Sequence, residues 1–194
     1  MHEKTAIIYE GTGADPDRDR MTVLDRGGDS LLIIPVGQVE QVGPLAQRLV
    51  NENITAIQLC GGMPARTRAE LVAAFEGRAV IGAVTFGIES LERASEYGAA
   101  FVRGEPPREA FIIVMAGWEE KRLHRAFPPQ DTTFAIVADD TAAARVAGDL
   151  AAAGVGLIEV YGSACSATAA AVIEAVNGRA AVGAVGYDRM HIPN

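Results

Sequence analysis

The sequence predicts an α/β protein built from two tandem copies of one parallel-strand βαβαβ-type unit, related by pseudo-twofold symmetry. Two observations carry that expectation. The chain repeats itself at an offset of 101, and its short strands are apolar on both faces and alternate with helical stretches. From Ile57 to Gly87, 11 of the 31 positions match residues 158–188, where chance in an Ala/Gly-rich chain would give about three. Gly61 meets Gly162, Thr67 meets Thr168, Gly77-Arg78-Ala79 meets Gly178-Arg179-Ala180, and Gly82-Ala83-Val84 meets Gly183-Ala184-Val185. Before residue 31 the match shifts by four, placing Ala6-Ile7-Ile8 on Phe111-Ile112-Ile113.

Each copy opens with an apolar strand, Ala6 to Tyr9 or Phe111 to Met115, followed by a long polar loop. A second strand comes next, Leu31 to Val36 or Thr133 to Val137. The first helix is Pro44 to Asn51, with Pro at its N1 position, or Ala142 to Ala153, capped by Asp140 or Thr141. The third strand, Ala56 to Leu59 or Leu157 to Val160, ends in a Gly-containing turn. A second helix, Thr67 to Phe75 or Thr168 to Val176, stops at Gly77 or Gly178, where a left-handed cap suits glycine. The fourth strand is Ala79 to Val84 or Ala180 to Val185. Strands apolar on both faces belong in a parallel sheet covered on both sides. Residues 87–102 form a linking helix with Leu91, Ala94 and Ala99 expected on its buried face, and Arg103-Gly104-Glu105-Pro106-Pro107 marks the boundary. The expected domains are residues 1–103, the first repeat with its linking helix, and residues 109–194, the second. The alternative architecture is a compact closed eight-stranded βα barrel made of two halves, for which the chain is short.

Composition narrows the partners. With 194 residues, 49% hydrophobic and 22% charged, the chain is globular. Seventeen Lys and Arg against 25 Asp and Glu give a net charge of -8, which disfavours nucleic acid. The apolar run at Ala6 to Tyr9 is too short for a signal peptide, and no window reaches the roughly 18 to 20 apolar residues of a membrane span. Cys60 and Cys165 have neither metal-ligand spacing nor the numbers for a disulfide framework. A reduced, cytoplasmic protein without a membrane partner is the expectation, and association into a homo-oligomer stays open.

Ligands of parallel α/β proteins bind beyond the carboxyl ends of the strands, which directs attention to Glu10, Cys60-Gly61-Gly62, Trp118, Asp139, Tyr161-Gly162-Ser163, Tyr187 and Asp188. Cys60 precedes a helix, where exposed N–H groups and the helix dipole favour an anion or a thiolate, and two glycines admit a close approach. Equally, Cys60 reads as a small buried hydrophobe and the glycines as a plain turn. Backbone N–H groups at Gly61-Gly62 and Gly162-Ser163 would hold the anion, Trp118, Tyr161 and Tyr187 would wall the pocket, and Cys60, Asp139, Asp188 and His191 are candidates for proton or covalent chemistry. Asp15-Pro16-Asp17-Arg18-Asp19 begins like a calcium loop, but Arg20 and Arg26 stand where its Gly and Glu belong. Pro16 spoils a dinucleotide fingerprint after Gly11-Thr12-Gly13. His124 lies in a basic, solvated stretch. Lys4 and Lys121 lie outside the core strands, which excludes Schiff-base chemistry. No metal and no cofactor are expected. The resulting function is a binder of a small, anionic metabolite at the strand-end rim, with a lyase or isomerase as the enzymatic form. The alternative is a non-catalytic binding or assembly module.

With Ala6-Ile7-Ile8-Tyr9, Asp15-Pro16, Ile57 to Gly62 and Ile81-Gly82-Ala83-Val84, the first copy resembles a bacterial family of short uncharacterised α/β proteins, a domain of unknown function with a Leu-Cys-Gly-Gly turn. The resemblance spans most of residues 4–87. In the second copy Tyr161 and Ser163 replace the cysteine and the second glycine. The resemblance implies the fold and no chemistry, and it implies that single-unit relatives pair as these two copies do.

Overall fold

The computed structural model describes residues 4–24 and 29–187. The described residues form two compact units, one of the residues up to Ala83 together with Gly186 and Tyr187, the other Val84–Val185.

In the first unit, β1 (Lys4–Glu10) stands between β3 (Ser30–Val36) and β4 (Ala56–Leu59), parallel to both, and β4 pairs parallel with the start of β5 (Val80–Phe86). The short β2 (Met21–Leu24) lies antiparallel on the outer side of β3. Helix α1 (Val42–Asn51) carries the chain from β3 to β4 and buries Val42, Leu45, Ala46 and Leu49. Helix α2 (Ala65–Phe75) carries it on to β5 and buries Leu71 and Phe75. Ile7, Ile8, Ile33, Ile34, Ile57 and Leu59 are wholly inaccessible. Each contributes about 1.5–3 kcal/mol of apolar burial.

The second unit repeats the plan. Here β6 (Glu109–Val114) stands between β8 (Gln130–Val137) and β9 (Leu157–Gly162), β9 pairs with β10 (Ala181–Tyr187), and β7 (Lys121–Phe127) lies antiparallel on β8. Helices α4 (Asp140–Ala152) and α5 (Ser166–Val176) cover one sheet face, packing Val146, Ala147, Leu150, Val172 and Val176 on Ile112, Val137, Ile158, Val160 and Val182. The opposite face carries Phe111, Phe134 and Tyr161, whose rings stack edge-on and tilted at centroid distances of 5.3 and 5.2 Å.

The duplicated parallel α/β plan is thus present, with five strands per copy in place of four. The two additional strands depart from the parallel eight-stranded barrel and fall where loops were expected. β2 lies in the polar loop of the first copy, and β7 is the basic stretch around His124. Both are antiparallel edge strands. β7 guards its edge with Lys121, Arg122 and Arg125, and His124 pairs through Nε2 with Asp131.

Strand register corrects the alignment of the first strands. Thr5 stands opposite Leu31 and Ala56, and Glu109 stands opposite Thr132 and Leu157. Those partners are 101 apart in each case, so Thr5 corresponds to Glu109, an offset of 104 instead of 105. The turn after the strand keeps the same offset. Ala14 N–H donates to the Gly11 carbonyl and Trp118 N–H to the Met115 carbonyl, with Gly13 and Gly117 both at positive φ. A one-residue slip exchanges the two faces of a strand, so Glu10 corresponds to Val114 and not to Met115.

Helix α3 (Leu91–Val102), the linking helix, lies wholly in the second unit. Its expected buried face is corrected as well. Leu91 is 49% exposed and Ala99 is exposed, whereas Ala100 is buried and Ala94, Tyr97 and Phe101 are half-buried. Polar contacts fix this rotation. The Tyr97 hydroxyl donates to Glu109 at 2.7 Å, Arg93 donates to the Gly178 carbonyl, and Ser90 Oγ accepts from Val182 N–H.

Candidate strand-end site

The connection from β1 to β3 runs to one side of β1, and the chain returns through α1 to β4 on the other. The carboxyl ends of β1 and β4 therefore form a topological switch point, the place where open α/β sheets receive ligands. Glu10 ends β1, and Cys60-Gly61-Gly62 follows β4. Cys60 N–H continues the ladder by donating to the Ile8 carbonyl, and Met63 N–H closes the turn on the Cys60 carbonyl at 3.1 Å.

The Glu10 side chain folds over this turn. A β-carbon on Gly62 would run into Glu10 Oε2, with Glu10 Cδ at 3.3 Å and Cys60 Sγ at 3.8 Å. Gly62 thus makes room for a carboxyl group, and the carboxyl and the thiol share one corner. Glu10 is half-buried, and burial raises its pKa above the ordinary carboxyl value, because loss of water penalises the charged form. Cys60 is 5% exposed, as the hydrophobe reading has it. The Glu10 carboxyl lies at the same corner.

The equivalent corner of the second unit is closed. β9 runs two residues beyond its apolar run, so that Val114 pairs with Gly162. Gly162 has φ +79, and a β-carbon there would meet the Val114 carbonyl oxygen. Ser163 donates both its N–H, at 2.9 Å, and its hydroxyl, at 3.2 Å, to that same carbonyl. Val114 stands where the first unit has Glu10.

The remaining expected residues are scattered in role. Tyr161, expected as a pocket wall, is fully buried in the sheet face against Phe111, and its hydroxyl bonds the buried Glu159. Trp118 is 8% exposed. Asp139 caps α4, accepting Ala142 N–H at 2.8 Å. Tyr187, at the end of β10, accepts from Gln58 Nε2 on β4. Asp188 and His191 lie outside the described residues. Among the described residues, no group of three or more His, Cys, Asp or Glu is placed to hold a metal ion.

One chemically distinctive residue escaped the sequence reading. Cys165 is exposed at the N-cap of α5. Its thiol pKa is lowered by the hydrogen bond with Thr168 N–H first, then by those with the Thr168 side chain and with Ala167 N–H. Thr168 is itself buried and donates to Asp140 at 2.7 Å. The spacing of Cys165 and Thr168, that of an N-cap and its N3 partner, was the available signal.

Among the described residues no helix is long and apolar enough to cross a membrane. No curated protein matches the chain. Among solved structures, a carbohydrate transporter from Acidothermus cellulolyticus 11B, determined in complex with myo-inositol, is 16% identical, with 95% of this chain and 74% of that one covered and a TM-score of 0.33. At that score the likeness carries no argument. The model of a family of unknown function, DUF6506, matches twice in tandem, over residues 3–99 and 107–194. The chain belongs to that family of unknown function, as a tandem pair of its domains.

Proposed function

We propose that the chain binds a small molecule at the carboxyl ends of β1 and β4 in its first unit. The observation that supports this reading is the half-buried Glu10 carboxyl seated over Gly62 beside the Cys60 thiol, at the switch point of the sheet. A carboxyl there supplies acceptor oxygens and, when protonated, a donor. It also sets a negative charge against any phosphate or carboxylate brought to the Gly61-Gly62 turn. The ligand class is therefore a small molecule presenting hydroxyl or ammonium groups, in place of the anion that the glycines alone suggest. Where turnover accompanies binding, the site offers proton transfer by Glu10, whose raised pKa suits an acid–base group, and a lyase or isomerase is the matching reaction class. The second unit keeps the fold without the acid, so one ligand per chain is expected.

A thermal-shift screen of the full chain against polyols and amines, with phosphates and carboxylates as the opposing class, tests the reading. A ligand at a hundred times its Kd stabilises by about 2.7 kcal/mol, which is about 5–10 °C for a chain of this size. The expected hits come from the first two classes and lose their shift in Glu10→Ala. Hits confined to anions, or shifts that survive Glu10→Ala, would overturn it.

A further inference from the structure

Helix α3 packs on the second unit through Ala94, Tyr97, Ala100 and Phe101, and its exposed side carries an apolar strip. Ile88, just before the helix, is 83% exposed, Leu91 49% and Val102 86%. Between them Ser95, Gly98 and Ala99 are also exposed. Leu91, Ser95, Gly98 and Val102 follow one another at intervals of four, three and four, the spacing of a seam that faces another helix. Gly98 is the informative member. Glycine inside a helix is destabilising relative to alanine, its φ is not positive, and an added β-carbon would meet nothing within 4 Å. Nothing among the described residues calls for glycine at that position. A bare backbone on an outer helix face lets another backbone come close.

We infer that α3 is a homodimerisation helix, packed antiparallel against α3 of a second copy of this chain. The surface is self-complementary in that orientation. Ser95 at the middle meets Gly98 of the other copy, while Leu91 at one end meets Val102 at the other. Charge selects the same direction. Glu92 lies in the first turn and Arg103 at the C-cap, so antiparallel packing sets Arg103 of one copy beside Glu92 of the other. Parallel packing would set Glu92 against Glu92, and the helix dipoles would oppose each other.

Sedimentation velocity of the full chain over a concentration series is the test, with circular dichroism to confirm that each variant is folded. Wild type is expected to dimerise, and the exposed double substitution Leu91→Glu with Val102→Glu to sediment as a monomer. Glu92→Arg and Arg103→Glu should each weaken the dimer by about tenfold, equivalent to about 1.4 kcal/mol, and the two together should restore it. A monomeric wild type at every concentration would overturn the inference. So would a dimer indifferent to Leu91→Glu with Val102→Glu, or a charge exchange that fails to restore association.

Discussion

Glu10 and Gly62 occupy each other's space: the carboxyl of the one lies where a side chain of the other would begin. The same turn in the second repeat closes differently, with Gly162 pressed on the Val114 carbonyl at a positive φ. The two glycines should therefore respond differently to substitution. Gly62→Ala meets the far end of a flexible side chain, without a positive φ, and should cost under about 1 kcal/mol. Gly162→Ala meets a backbone oxygen from a left-handed conformation and should cost at least about 2 kcal/mol. Urea denaturation of the two variants measures the difference.

The acid at this corner makes stability depend on pH. A carboxyl whose folded pKa is raised binds its proton more tightly in the folded chain than in the unfolded one. Its contribution is fully present below the unfolded pKa and is lost as pH rises through the folded value. Glu10→Gln removes the penalty of burying the ionised form, so the variant should melt higher than wild type at pH 7. The gap should shrink on acidification through the carboxyl range. A melting series from pH 3 to pH 8 reads it directly.

Asp139 is a helix cap, and its loss should be felt as one. Asp139→Ala removes the acceptor for Ala142 N–H and should cost about 1 kcal/mol, lowering Tm by about 2–4 °C. Ligand binding at the first unit should be unchanged, since the residue does not belong to that site.

The two thiols should separate cleanly by reactivity. Cys165 is exposed and its pKa is lowered by its cap hydrogen bonds, whereas Cys60 is buried. A disulfide reagent such as DTNB should titrate one thiol in the native chain and the second only in denaturant. Cys165→Ser should abolish the native reaction.

Tyr97 ties α3 to the buried Glu109, which also accepts from the Thr132 hydroxyl. Tyr97→Phe takes one donor from a buried carboxyl and should cost about 1–3 kcal/mol. Amide exchange in α3 should accelerate with it.

Much of this architecture was legible in the sequence, for reasons specific to its elements. Apolar runs such as Ile7-Ile8 and Ile112-Ile113 are buried on both faces, and Gly77 and Gly178 adopt the left-handed caps their positions suggested. β2 was illegible because Met21-Thr22-Val23-Leu24 is only four residues long inside a polar loop, and β7 because its exposed, mostly basic residues show no apolar run. The four-residue shift failed by one because Ile7, Ile8, Ile112 and Ile113 align equally well in either parity, and only the ladder decides between them. In α3 the apolar residues surround the helix, so the pattern left its rotation open. The hydroxyls of Tyr97 and Ser90 fix it. For the candidate site, the strand-end rule pointed to Glu10, Cys60 and Gly62, which the structure brings to one corner. It could not show that Tyr161 points into the core, because β9 outlasts its apolar run by two residues.

The claim that the first unit holds the ligand is most directly tested by isothermal titration of the strongest polyol or amine hit. Wild type, Gly62→Val and Ser163→Val would be compared. The account predicts one site per chain, lost when Gly62→Val fills the corner beside Glu10 and unchanged in Ser163→Val. Binding that persists in Gly62→Val, or that disappears in Ser163→Val, would contradict it.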